Sequence, residues 1–221
     1  MSHALIALLM IMEILNWFTF NFMKKIKLYL IRHGESEGNV NSQVYHTTRD
    51  CDVKLTAVGH KQSLEAAEQL RTLLQGQTPR IICSSYTRAK QTARNIYNAL
   101  AQHNADTVVP VDNVLLRERE WGALRNYVDN CTFSAEEHFN FYYRAQGGES
   151  YADAYLRAAT FFQGLFCERL QCPNDNRPII IVSHGEWIRL ALMYLDQTDV
   201  EYFESAHTNP KNCEIITRIL S

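Results

Sequence analysis

Two rhythms of apolar residues run along the chain. Short, nearly continuous apolar runs bounded by polar or turn residues fall at 26–32, 80–84 and 178–183 and predict strands. Between them the apolar positions recur at helical spacing. Leu64, Ala67, Leu70, Leu73 and Leu74 predict a helix that ends near 74, closed by Gly76 and Pro79. Ala89, Ala93, Ile96, Tyr97 and Leu100 predict a helix over 87–103, and further helices are expected over 150–170 and 186–195. Ser150 with Asp153 three residues on reads as a variant capping box. Val108-Val109-Pro110-Val111 predicts a third, short strand whose proline points to a sheet edge or a strand end, and 213–219 predicts a last strand. Residues 34–54 form a polar loop. Residues 112–147 are irregular and aromatic-rich, with Trp121, Tyr127, Phe133, Phe139, Phe141, Tyr142 and Tyr143. Long irregular segments in a compact domain tend to be functional, so this one is expected to cover a site.

Strands alternating with helices imply an α/β fold, with a mostly parallel sheet and helices on both faces. Such sheets hold ligands beyond the carboxyl ends of their strands. Arg32, His33, Ser84, Ser85, Ser183 and His184 are all strand-end residues, so they are expected on one rim.

Residues 1–23 stand apart. They are almost wholly apolar, and a membrane helix needs roughly 20 such residues. Glu13 near the middle costs about 3 kcal/mol on insertion scales, which the many Leu, Ile and Phe residues offset. No Lys or Arg precedes the run, which argues against a signal peptide. Two readings stay open. In one the segment is a membrane anchor with Lys24 and Lys25 on the cytoplasmic flank; in the other it is an extension outside the working protein, with Met23 as a natural start. In both, residues 24–221 form the domain that carries the chemistry, and a cytoplasmic location is expected.

Composition narrows the function. The chain has 221 residues, 46% hydrophobic and 21% charged, which supplies a full core for one domain. A net charge of −2 gives no global basic field, so nucleic acid is not an expected partner and any affinity for anions is local. The six cysteines lack zinc-ligand spacing and read as free thiols in a reducing compartment. No Walker loop, dinucleotide glycine pattern, Gly-x-Ser-x-Gly elbow or His–carboxylate metal spacing is present. Neither a metal nor a cofactor is expected.

The strand ends suit phosphoryl transfer, in which catalysis is mostly positioning and charge stabilisation. Arg32 offers a guanidinium fork to phosphate oxygens, and Arg88, in the first turn of the helix after the second strand, offers another. One imidazole can attack phosphorus, and the other can bond the transferring oxygens. A carboxylic acid must protonate the leaving oxygen and later activate water. Glu118, in Arg117-Glu118-Arg119-Glu120-Trp121-Gly122, is the candidate and Glu120 its competitor. Singly, His184 reads equally well as a core histidine, Arg88 as a surface helix residue and Glu118 as part of a solvated charged run. Their joint placement at successive strand ends is what favours a site. The remaining histidines, His3, His46, His60, His103, His138 and His207, have no such placement and read as surface or structural.

Leu30-Ile31-Arg32-His33-Gly34-Glu35-Ser36 with Asn39 resembles the opening motif of the histidine phosphatase superfamily, the phosphoglycerate mutase-like family. Ser84-Ser85 through Arg88-Ala89 and Gln91-Thr92-Ala93, Glu118, Gly147-Gly148-Glu149-Ser150 and Val182-Ser183-His184-Gly185 resemble its later landmarks, so the resemblance spans 26 to about 219. It implies a three-layer α/β/α sandwich and no cofactor. It also implies His33 as the phosphorylated nucleophile, Arg32, Arg88 and His184 as the phosphate pocket, Glu118 as proton donor and Asn39 as a phosphate or substrate contact. The apolar segment 1–23 has no counterpart in the family pattern.

Hydrolase or mutase is decided outside these motifs. Glu37-Gly38-Asn39 stands where mutases commonly carry Thr-Trp-Asn, and Arg119-Glu120-Trp121-Gly122-Ala123-Leu124 looks more like phosphatase members. The expectation is hydrolysis of a small phosphorylated metabolite, with phosphoglycerate mutase-type transfer as the alternative. A tethered module that binds phosphorylated ligands without turnover would need neither His33 nor Glu118. A homo-oligomer is compatible with the sequence.

Overall fold

The computed structural model describes residues 25–122, 140–205 and 208–220. In chain order they form β1 (Ile26–Arg32), α1 (Glu37–Val40), α2 (Ala57–Leu74), β2 (Arg80–Ser84), α3 (Thr87–Ala101), β3 (Val111–Asn113), α4 (Tyr151–Gln171), β4 (Ile179–Ser183), α5 (Gly185–Asp196), α6 (Val200–Ser205) and β5 (Ile215–Leu220). Single 3-10 turns occupy Ser42–His46, Asp50–Asp52 and Val114–Leu116. The described strands make one sheet in the order β3-β2-β4-β1-β5. All pairings are parallel except β1 with β5.

The strands are apolar on both faces because both faces are covered. Leu28, Leu30, Ile179 and Ile181 pack with Phe162 and Leu165 of α4 and Trp187 and Ile188 of α5. Their neighbours Tyr29, Ile31, Ile180 and Val182 turn the other way, onto Leu70 of α2 and Ala93 and Ile96 of α3. This is the expected three-layer α/β/α sandwich. Phe141, Tyr151, Leu190, Met193 and Phe203 form a third cluster that joins α4, α5 and α6.

Two details differ from the pattern reading. The third strand begins at Val111, not 108: only 111–113 pair with β2, at the edge, with Val111 opposite Ile82. Pro110, which lacks an N–H, precedes it. On α2, Leu64 and Leu73 are exposed; the buried face carries Gly59, Ser63, Ala66, Ala67, Leu70 and Leu74. Those small residues admit α3, whose Asn95 Nδ2 donates to Ser63 Oγ at 2.7 Å. The cap of α4 is as expected. Ser150 Oγ accepts from Asp153 N at 3.1 Å, and Asp153 Oδ2 accepts from Ser150 N at 2.8 Å.

Among the described residues no helix is long and apolar enough to cross a membrane. The apolar segment 1–23, with its anchor and extension readings, lies outside the described residues.

Candidate active site

The parallel register sets Arg32 opposite Ser183, and His33 N donates to Ser183 O at 2.9 Å. His33 and His184 therefore leave the sheet side by side, and their rings meet edge to face with centroids 5.1 Å apart. The helices after β1 and β2 cover one face, while α5, after β4, covers the other. The chain thus diverges above these strand ends and opens a crevice there. Gly34 is required at the turn, because a Cβ there would collide with the carbonyl oxygen of Gly59.

His33 is buried and held in one tautomer. The Gly34 carbonyl, 2.7 Å from Nδ1, can only accept, so Nδ1 carries the proton and Nε2 the lone pair. Arg88 Nε donates to that lone pair at 3.2 Å. Burial, then the Arg88 cation, holds the imidazole well below its ordinary pKa; the Gly34 bond opposes and Arg32 reinforces. The ring is neutral near pH 7. His184 is also driven down, by burial first and then by Arg88 and His33. It shares a hydrogen bond with Ser84 Oγ at 2.8 Å, while its buried Nδ1 has no partner among the described residues. Of the other strand-end residues, Ser183 turns inward and donates to Leu116 O at 2.7 Å.

Two guanidiniums flank the pair. Arg88 is buried, with Nη1 on Asp50 O at 2.7 Å and on Asp50 Oδ1 at 2.8 Å, and its guanidinium lies over the Tyr86 ring. Arg32 Nη1 donates to Pro210 O at 2.7 Å, and its buried Nε is without a partner among the described residues. Burial lowers the Arg32 pKa, and the Glu118 charge opposes that drop.

Glu118 faces the same space. Its Oε1 accepts from Arg119 N and from Trp187 N, each at 3.2 Å, so the carboxyl sits on the amino-terminal turn of α5. Enclosure first and the Glu186 charge second push its pKa up to about 7, against the pull of Arg88. Arg157 of α4 fixes the loop beneath it, donating to the carbonyls of Leu115, Arg117 and Glu118 at 2.9, 3.0 and 3.3 Å. Glu120 accepts from Gly122 N instead and does not line the cleft. Asn39 commits Oδ1 to Ser36 N and to Asn212 Nδ2 at 3.1 and 3.2 Å, and Asn212 also donates to His33 O.

Arg32, His33, Asn39, Arg88 and Glu118 all line one cleft of about 230 Å³; His184, fully buried, does not line it and packs against the His33 ring behind. The sequence reading missed Tyr45, Asp50, Glu186 and Asn209 on its walls. Tyr45 and Asp50 lie in a loop with no periodicity to mark them. Glu186 follows Gly185 directly, and that adjacency was an available signal. Of the aromatic stretch, Trp121 lines the cleft, but Phe141 is buried in the third core cluster. Tyr127, Phe133 and Phe139 lie outside the described residues. A larger, mostly apolar cavity of about 370 Å³ beside β3 holds none of the candidate residues.

The model of the histidine phosphatase superfamily (branch 1) matches residues 28–219. A phosphoglycerate mutase-like protein of Arabidopsis thaliana, AT74, is 33% identical over 86% of this chain, which spans 63% of that protein's length. Among solved structures, a mycobacterial glucosyl-3-phosphoglycerate phosphatase complexed with VO3 superposes with a TM-score of 0.67 at 22% identity, over 87% of this chain and 90% of that one. A phosphoserine phosphatase of Entamoeba histolytica in complex with 3-phosphoglyceric acid gives 0.61 at 25% identity, over 87% and 89%.

Proposed function

We propose that this chain, which belongs to the histidine phosphatase superfamily, branch 1, hydrolyses a small phosphomonoester through a phosphohistidine on His33, without a metal ion. The observation that carries the proposal is the state of His33: a neutral ring lining the cleft, with its Nδ1 proton committed to Gly34 and its Nε2 lone pair held only by Arg88 Nε, a phosphate-binding candidate itself.

In the first step Nε2 attacks phosphorus. The N–P bond forms, the P–O bond to the alcohol breaks, and Glu118 gives its proton to the departing oxygen. Arg32, Arg88 and the His184 ring receive the charge spread over the three phosphoryl oxygens, as a metal would elsewhere. In the second step the Glu118 carboxylate takes a proton from water, the water oxygen bonds to phosphorus, and the N–P bond breaks to free His33 and inorganic phosphate. A carboxyl near pKa 7 is suited to both steps at neutral pH.

Hydrolysis of p-nitrophenyl phosphate in excess chelator tests the proposal. Wild type turns over and His33→Ala does not; equal rates in both would overturn it. The likeness to a phosphoglycerate mutase-like protein favours a second reading, isomerisation of phosphoglycerate on the same residues. Incubation with 3-phosphoglycerate and a bisphosphate primer separates the two, since a mutase releases no net phosphate.

A further inference from the structure

The site motifs account for Glu118 but not for what surrounds it. Residues 118 and 119 of the loop face residues 186 and 187 of α5 crosswise. Trp187 N–H and Arg119 N–H both donate to Glu118 Oε1. Glu186 Oε2 accepts from Arg119 Nε at 2.9 Å, and its Oε1 accepts from the Tyr151 hydroxyl of α4 at 3.0 Å. The Arg119 guanidinium is buried between the rings of Tyr151 and Trp121, 4.0 and 4.8 Å from their centroids. A buried ion pair stabilises a fold no better than apolar side chains of the same volume. Here the pair stands on the wall of the cleft, with Glu186 lining it.

We infer that Glu186 is a positioning residue for Glu118: through Arg119 it seats the loop that bears that carboxyl, and through its own charge it governs when the carboxyl keeps its proton. The inference rests on the acid–base role proposed above.

The groups around Glu118 divide by sign. Arg32 from β1, Arg88 from α3, Arg119 from its own loop and Arg189 from α5 favour the carboxylate. Glu186 from α5 and Asp50 from the 3-10 turn favour the acid, Glu186 more strongly; Asp50 is already paired with Arg88. Tyr151 from α4 stays neutral, because burial pushes its phenol pKa up, and it acts only through Glu186. Glu186→Gln would keep the shape and an acceptor oxygen but remove the charge. The Arg119 cation would then act on Glu118 uncompensated, and the proton would leave at lower pH. Arg119→Gln would do the reverse.

The test is the pH dependence of kcat/KM for an alkyl ester, glycerol 2-phosphate, read by phosphate release. The alkaline limb is expected to move down by about one pH unit in Glu186→Gln and up in Arg119→Gln. A purely structural pair would scale both profiles without opposite displacements. Limbs that coincide with wild type, or that move in the same direction, overturn the inference. If Glu186→Gln does not fold, Arg119→Gln decides alone, and a limb at or below the wild-type pH overturns it. His33→Ala runs alongside. His33-dependent activity with unmoved limbs defeats this inference only, whereas activity that survives His33→Ala defeats the reading beneath it.

Discussion

A single carboxyl shows how burial sets chemistry at the scale of one residue. An exposed glutamate is ionised at neutral pH and has no proton to give; Glu118, enclosed and facing Glu186, is poised near pH 7. Its value depends on the leaving group. Glu118→Gln is expected to slow hydrolysis of an alkyl phosphate by about 10²–10⁴-fold. The same variant should lose far less on p-nitrophenyl phosphate, whose phenolate departs without a proton. Steady-state kcat on the two esters checks this, and an equal loss on both would remove Glu118 from the acid role. The residues legible in the sequence, Arg32, His33, Arg88, Glu118 and His184, are those whose backbone is fixed by a strand end, a helix start or a motif. Asp50 was not legible, because its contact with Arg88 spans 38 positions and comes from a loop without a period. Arg119 stands in the same charged run as Glu118, yet it is buried; the partners Glu186, Tyr151 and Trp121 explain why.

At the scale of elements, the site is a consequence of two strands in parallel register ending at one level. Sequence periodicity found both strands because each is apolar on consecutive positions. On α2 it picked out the buried Ala67, Leu70 and Leu74 but added the exposed Leu64 and Leu73, because residue size as well as hydrophobicity chose which side packs: Ser63 and Gly59 are inside while Leu64 is out. It placed β3 three residues early, since β-branched valines at 108 and 109 read as strand although they pair with nothing in the sheet. The turn after β1 is where element and chemistry meet. Gly34 N donates to Thr92 Oγ1 at 3.0 Å, and a side chain at 34 would meet the backbone of α2 at Gly59. Gly34→Ala is therefore expected to destabilise by about 1–3 kcal/mol in urea unfolding and to lower kcat as His33 shifts. Unchanged stability would mean that the two backbones are not in contact.

At the scale of the whole molecule, the buried site leaves its mark on stability against pH. Folded His33 and His184 stay neutral, so below about pH 6.5 each takes up a proton only on unfolding and stability falls as the pH falls. Glu118 acts in the opposite sense: from about pH 4.5 to about 7 it keeps a proton when folded and loses it when unfolded. One proton of difference changes stability by about 1.4 kcal/mol per pH unit. Two histidines against one glutamate leave a net loss on acidification from pH 6.5 to 5, and His33→Gln should flatten it by about that slope. Parallel urea-unfolding free energies for both proteins across the range would contradict the buried, neutral state of His33. The covalent step proposed at that residue is open to direct observation. Rapid quench of the enzyme with a ³²P-labelled phosphomonoester in chelator should trap protein-bound phosphate that is acid-labile and alkali-stable, on the peptide containing His33. Turnover without such a species, or label on any other residue, would contradict it.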